Sequence, residues 1–293
     1  MKNNKTNLNA MDRRVFKYWE ALYLAFYSSR LYVDVGKRWR GFGLAYFFLV
    51  IAIAVIPLSI KSILMLNAYF DDQIIFPLQK MPQFEIKNGK LSFDSFMPYL
   101  IKNKNGDVVI VVDDKVNLTE VNYAYPHWML FITADCYYSR MPAPSFFKDT
   151  PFESDNLHSK DVTMQPFAEI QSGSFSGGAW LEQAGIGQTK WYFLFSIYPS
   201  LVGFLYGIFT VLLLFVAILA KVVAHMFLNY KISFGNSYRL LLVSSGSGVS
   251  IFIMSLSFGQ LPLMGLYLLA SISLYFCYAI LCLKRESKQM VLA

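Results

Sequence analysis

Four long apolar segments, with one large polar insert after the first, constrain this chain more than any motif in it. They cover residues 41–66, 192–220, 240–258 and 263–283. About 20 apolar residues suffice to cross the hydrocarbon core as a helix. In lipid every backbone amide needs an internal partner, so helices are the expected form. The expected fold class is an α-helical membrane protein: four transmembrane helices with a β-rich extracytoplasmic domain inserted between helices one and two. Residues 1–40 then form a cytoplasmic amphipathic N-terminal segment, 41–66 the first transmembrane helix and 67–190 the extracytoplasmic domain. Residues 191–283 hold helices two to four with a cytoplasmic loop at 221–239, and 284–293 are a cytoplasmic tail. Pro57 permits a kink in the first span, and Lys61 can snorkel toward an interface. Gln260 and Pro262 mark a short turn between the last two spans.

Charge bias orients the spans. Lys2, Lys5, Arg13, Arg14, Lys17, Arg30, Lys37, Arg38 and Arg40 precede the first one, against Asp12, Glu20 and Asp34. The connection between spans two and three holds Lys221, Lys231 and Arg239 and no acid, and the tail adds Lys284, Arg285 and Lys288. By the positive-inside rule both termini and the 221–239 loop are cytoplasmic, which leaves the insert outside. The net charge of +7 thus comes from the cytoplasmic flanks and implies anionic lipid as its contact. No base-stacking or groove-reading motif accompanies it, so no nucleic acid is expected as a partner. Residues 1–14 are polar and basic and do not read as a cleavable signal; the first span is expected to be an uncleaved anchor.

Val15, Trp19, Leu22 and Phe26 fall at helical spacing, with Asp12 as a cap. They predict an amphipathic helix of about four turns. Ser28 and Ser29 interrupt it, and Leu31-Tyr32-Val33 begins a second short one. Lys37, Arg38 and Arg40 surround Trp39 just before the first span. Together with Trp19 they are the expected membrane-interface residues, on a helix that lies along the interface and docks on the bundle.

Within the insert, residues 83–87 alternate, Asn88-Gly89 follows, and residues 90–93 alternate again. Asn-Gly between alternating runs is a strong hairpin signal. Residues 99–101, a turn at 103–107, and the β-branched run 108–112 predict a second strand pair; 128–132 is a further strand. Residues 142–166 read as a long loop, and the Gly/Ser-rich stretch 172–187 as a link to the second span.

Candidate chemistry is sparse. Asp113 and Asp114 end a strand, where a carboxylate pair can bind a divalent cation, but no third acid follows at ligand spacing. His127, His158 and His225 have no His or Cys partner at metal spacing. Cys136 stands alone outside, so no disulfide forms within the insert; Cys277 and Cys282 read as small apolar residues of the last span. Cys136 and Ser139 lack a positioned base. The expectation is therefore no catalytic residue, no metal, no cofactor and no enzymatic activity.

Small residues in the spans carry more information. Gly203 and Gly207 form a GxxxG pair in span two. In span three Ser244/Gly248 and Gly246/Ser250 share the same spacing. Such pairs let helix backbones approach closely. The expected use is packing inside the bundle, with homodimerisation or the lining of a polar path as alternatives. No carboxylate lies in any span, which argues against an autonomous ion-coupled transporter.

Residues 25–32 (AFYSSRLY) with Arg38-Trp39-Arg40-Gly41, residues 84–91 (FEIKNGKL), the 108–113 strand and residues 231–240 (KISFGNSYRL) together resemble a bacterial membrane-protein family known as domain-of-unknown-function family 1189. That family is similar to the Yip-type membrane proteins, whose bundle has a comparable cytoplasmic loop before a small-residue span. The resemblance implies a multi-pass protein of a bacterial cytoplasmic (inner) membrane with no assigned catalytic residue. The functional expectation is a membrane scaffold or accessory protein, embedded in a lipid bilayer with a membrane-protein partner or as a homo-oligomer. A component of a transport system for a lipid or small solute is the alternative, and some relatives of the family lie near sugar-uptake systems.

Overall fold

The structure, a computed structural model, describes residues 14–93, 96–140, 162–170, 172–226, 230–259 and 263–292. It divides into two compact units, Met1–Ser62 with Ser196–Ala293, and Ile63–Phe195. The helices in chain order are α1 (Tyr18–Leu24), α2 (Ser29–Lys37), α3 (Leu44–Ala54), α4 (Ile56–Phe70), α5 (Phe76–Gln79), α6 (Leu118–Ala124), α7 (Gly177–Gln183), α8 (Ile186–Met226), α9 (Phe234–Leu256) and α10 (Met264–Leu292). The strands are β1 (Phe84–Lys87), β2 (Lys90–Ser92), β3 (Tyr99–Lys102), β4 (Val108–Val112), β5 (Leu130–Ile132), β6 (Cys136–Ser139), β7 (Thr163–Pro166) and β8 (Gly173–Phe175).

Among the described residues, α8, α9 and α10 are long and apolar enough to cross a membrane. A fourth span exists if Leu44–Ala54 and Ile56–Gln79, bent by 44° at their junction, count as one. The bend has a covalent cause. Pro57 has no N–H to give the carbonyl of Ile53, and its ring crowds that carbonyl. The backbone closes around the gap through Val55 N–H to Ile51 O at 2.9 Å and Ser59 N–H to Val55 O at 2.8 Å. Beyond α4 the helix widens into a π-helical turn at Asp71–Ile75 before α5.

Several boundaries differ from the sequence reading. The second span is a 41-residue helix, about 60 Å long at the usual rise and twice the thickness of the hydrocarbon core. It absorbs residues 221–226, while Ser233 caps α9 by accepting from Asn236 N–H at 3.4 Å. The 221–239 loop therefore shrinks, and Arg239 is a buried helical residue rather than a loop charge. Residues 284–292 continue α10 instead of forming a separate tail. The Gln260–Pro262 turn lies outside the described residues. Lys61 does more than snorkel: its Nζ donates to Ser257 O at 2.8 Å, at the C-terminal end of α9, where a cation is favoured.

In the helical unit α9 is central. Of its apolar window 67% is buried, against 22% for α8 and 33% for α10. Leu240 and Val249 on α9 pack with Phe47 and Ile51 of α3, Leu213 of α8, and Ala279 and Ile280 of α10.

The inserted unit holds two sheets, β2-β1-β8 and β3-β4-β5-β6-β7. The expected hairpin is present: Ile86 faces Leu91 and Lys87 faces Lys90 across Asn88 and Gly89, whose φ angles are 53° and 75°. Two left-handed residues in succession match the twist of a tight hairpin, which is why Asn-Gly serves there. In the larger sheet β4 and β5 pair in parallel, and the other neighbours pair antiparallel. Ile110, Val112, Leu130 and Ile132 enter one apolar cluster, while Val111 and Phe131 join Trp128 and Val121 of α6 on the opposite face. Burial on both faces explains why β4 is apolar throughout rather than alternating.

The described parts of the stretches read as loop and linker hold regular elements. Residues 163–166 form the edge strand β7, the rest of that loop as far as 161 lying outside the described residues. Residues 173–175 form β8 and residues 177–183 form α7. Ser176 caps α7, accepting from Ala179 N–H at 3.2 Å. Lys190, near the start of α8, is 2.6 Å from Asp71 of the π-helical turn, joining the two ends of the insert.

Candidate functional site

The N-terminal helices build a junction whose centre is Asp34. Its carboxylate accepts from Val15 N–H at 3.1 Å, Phe16 N–H at 3.2 Å and the Trp39 indole N–H at 3.0 Å. Arg38, the residue that ends α2, approaches at 3.5 Å and is exposed. Asp34 is 1% exposed. A buried carboxylate needs this many donors to offset its lost hydration.

Trp39 is therefore a core residue and not an interfacial anchor. It is 4% exposed, with its ring edge-on to Tyr18 at 5.1 Å and Tyr46 at 5.8 Å. Lys37, Arg38 and Arg40 around it are exposed, as is Trp19. The residue that completes the junction is Arg239 of α9. Its Nη1 donates to the carbonyls of Trp39 and Gly41, and its Nη2 to Gly36 O at 3.0 Å and Asn236 Oδ1 at 2.7 Å. A guanidinium thus collects the carbonyls that end α2, placing a cation where the helix dipole favours one.

The docking face of α1 also differs from the expected one. Of the expected apolar stripe, Val15, Trp19 and Phe26 are exposed and Leu22 is half-buried against the core, while Ala21 and Ala25 are fully buried. The reason is access to backbone. Tyr46 Oη donates to Ala21 O at 3.3 Å, Tyr32 Oη to Ala25 O, and Tyr278 Oη to Tyr27 O at 3.3 Å. Ala25 and Tyr27 lie past the end of α1, where carbonyls lack helical partners, and Ala21 O takes the Tyr46 hydroxyl as a second donor beside Ala25 N–H; small side chains let the hydroxyls in. Burial pushes the Tyr32 phenol well up, which keeps it a neutral donor. The helix itself starts at Tyr18, where Glu20 accepts from Lys17 N–H at 2.8 Å; Asp12 lies outside the described residues.

The small residues of α9 lie inside the helical unit. Ser244, Gly246 and Gly248 are buried and Ser250 is half-buried. A Cβ on Gly246 would meet Tyr46 at 3.4 Å, and one on Gly248 would lie 2.1 Å from Ser271 Oγ and 3.0 Å from its Cβ. Their hydroxyl neighbours bond within the helix: Ser244 to Leu241 O at 3.2 Å, Ser247 to Ser244 O at 3.4 Å and Ser250 to Gly246 O at 2.6 Å. Serines satisfied this way pack as small apolar residues. Gly203 and Gly207 behave differently. Both are exposed, and no atom lies within 4 Å of a Cβ built on either, so this pair does not pack inside the chain. Gly248→Leu is accordingly expected to cost about 2–4 kcal/mol through overpacking against α10, and Gly203→Leu less than about 0.5 kcal/mol. Thermal unfolding of both variants in one detergent decides it, and equal losses would refute the assignment.

The candidates in the inserted unit are not brought together. Asp113 is buried and accepts from Lys115 N–H at 3.0 Å, the bond of a tight turn. His127 and Asp114 are exposed, and His225 is exposed on α8; His158 lies outside the described residues. Cys136 Sγ lies 3.3 Å from Thr133 Oγ1 in the turn before β6. Ser139 pairs with Leu130 and Thr163 across the sheet. No group of three metal-ligating side chains occurs among the described residues. Sequence reasoning missed Arg140, which lies over the Trp128 ring at 4.4 Å and donates to Trp128 O at 2.5 Å and to Pro126 O. Burial lowers its pKa.

The family model described as "Protein of unknown function (DUF1189)" matches residues 19–281, a stretch holding both the Asp34–Arg239 junction and the α9 stripe. The chain belongs to the DUF1189 family. It is similar to an uncharacterized protein of Rickettsia prowazekii (strain Madrid E), 29% identical over 32% of this chain and 36% of that protein. The chain therefore spans little more than a third of that relative's length. No solved structure matches it. The chain is thus a DUF1189 protein whose apolar helices are of the kind that embeds a protein in a lipid bilayer.

Proposed function

We propose that this DUF1189 protein is a non-enzymatic scaffold or accessory protein of a bacterial cytoplasmic membrane. Both termini are cytoplasmic, and the inserted unit is an extracytoplasmic sensing or docking domain. The observation that carries this reading is the internal use of Arg239, Lys61 and the α9 serines in the helical unit. Arg239 and Lys61 bind helix-end carbonyls, and the serines of α9 bond to their own helix. A solute path in a bundle needs polar or ionisable groups turned toward a cavity. Arg239 and Lys61 tie helices together instead, the serines are engaged within α9, and the charge bias of the flanks supports the orientation.

In-cell photocrosslinking from the inserted unit and from residues 231–239, followed by mass spectrometry, tests the proposal. One membrane-protein partner is expected to recur from both positions. Capture of no repeated protein from either would refute it.

A further inference from the structure

We infer that the free edge of β3 binds an extended acidic segment of a partner protein as an added strand. This deepens the docking reading of the inserted unit, on which it rests, by naming the partner's chemistry. β3 is the end strand of the five-stranded sheet and, among the described residues, pairs with β4 alone. Alternate residues of such a strand turn their N–H and C=O groups away from the sheet, where an incoming chain can bond to them. No further backbone hydrogen bond from residues 99–102 occurs among the described residues. A cleft of about 640 Å³ borders this edge, lined by residues 99–104 together with Phe76 of α5 and Lys80 just beyond that helix. A helix laid against an edge ordinarily seals it. Here the space left open is as large as a ligand site.

The charge of the cleft selects the guest. Lys80, Lys102 and Lys104 are exposed, and none of them forms an ion pair among the described residues. Lys80 Nζ lies 4.2 Å and Lys104 Nζ 5.5 Å from the centre of the Phe76 ring, which gathers two of the three charges around one side chain. The acids of the adjoining turns are engaged elsewhere. Asp71 pairs with Lys190 at 2.6 Å. Asp72 accepts from Lys104 N–H and from the Asn105 amide, both at 3.1 Å, and Asp107 accepts from the Asn103 amide at 3.3 Å. Lysines along an edge repel a neutral or basic strand, which would cover them unpaired. A strand carrying carboxylates pairs them instead, so the residues that guard this edge against other chains admit an acidic one.

The test immobilises full-length protein in detergent and passes over it a pool of hexapeptides, the length of the 99–104 run. Glutamate alternates in them with valine, isoleucine, threonine, phenylalanine or tyrosine. Members of this pool are expected to be retained at least about ten-fold more than the same pool built on lysine, and retention should fall at least about ten-fold when Lys102→Glu and Lys104→Glu are combined. The best-retained sequence is then made with N-methyl amides at its odd or at its even positions. One isomer should lose about ten-fold in binding and the other keep it, because an added strand turns alternate amides to β3. That comparison stands on its own if thermal unfolding shows the double variant misfolded. No retention of the acidic pool would overturn the inference. Equal behaviour of the two isomers, or full displacement by an equal concentration of inorganic phosphate, would mark a site for small anions and overturn it too. So would a photocrosslinker at position 102 that captures only a second copy of this chain in cells. The peptide arms need no cellular partner, so loss of the strand site and loss of the scaffold reading are distinguishable.

Discussion

Gly177→Ala is expected to destabilise the inserted unit by about 3 kcal/mol or more. Gly177 opens α7 and is buried against α5. A Cβ there would lie 1.8 Å from the carbonyl oxygen of Leu78 and 2.9 Å from Met81 Cβ. The first contact is with backbone, which cannot rotate away. That same oxygen accepts from Met81 N–H at 3.1 Å, and Leu78 is 1% exposed, so moving it disturbs both the end of α5 and the core beneath. Gly178 provides the control: nothing lies within 4 Å of its Cβ, and it sits inside a helix. Gly178→Ala should be neutral or slightly stabilising, since alanine restricts the unfolded chain and suits a helix. Limited proteolysis of the full-length protein in detergent measures both, with cleavage expected in the inserted unit of Gly177→Ala alone. Equal protection of the two variants would show that α7 does not pack as described.

The same glycine explains why part of this fold is hidden in the sequence. Glycine and serine between residues 172 and 187 signal a linker when read locally, yet Gly177 is there for close approach and Ser176 for a helix cap. Composition does not separate these uses. Short α6 is hidden for a related reason: its helix depends on Val121 packing beneath Val111, Trp128 and Phe131, a contact between distant positions. By contrast, the Asn88-Gly89 hairpin is legible because its cause is local, two residues that tolerate positive φ between alternating strands. The apolar helices are legible because length and hydropathy are enough. Pro57 likewise announces the bend at the α3–α4 junction through covalent structure.

The junction at Asp34 was only half legible. The helical spacing of Val15, Trp19, Leu22 and Phe26 marks a helix, but a shorter one than expected (Tyr18–Leu24), and of the four only Leu22 packs against the core. The bundle offers α1 tyrosine hydroxyls as well as apolar contacts to Leu22 and Leu24, so the alanine face goes in. The basic residues around Trp39 suggest an interface, yet the indole turns inward to Asp34, five residues back. No local pattern reveals that Arg239, two hundred residues away, receives the carbonyls of this turn.

Asp34→Ala is therefore expected to loosen the N-terminal helices from the bundle at a cost of about 3–5 kcal/mol. The substitution leaves the N–H groups of Val15 and Phe16 and the indole N–H of Trp39 without their acceptor. Each unsatisfied donor that stays buried costs about 1–3 kcal/mol, and water reaches Trp39 poorly at 4% exposure. Arg38→Ala separates this role from the ion pair. Its side chain is 42% exposed and 3.5 Å from Asp34, so its loss should cost under about 1 kcal/mol. Asp34→Asn should fall between the two, because a single neutral carbonyl oxygen replaces two charged acceptors. Thermal unfolding in detergent ranks the three variants, and tryptic cleavage after the exposed Arg30 and Lys37 reports release of α1 and α2. If Arg38→Ala were as damaging as Asp34→Ala, the ion pair and not the buried donor set would hold the junction.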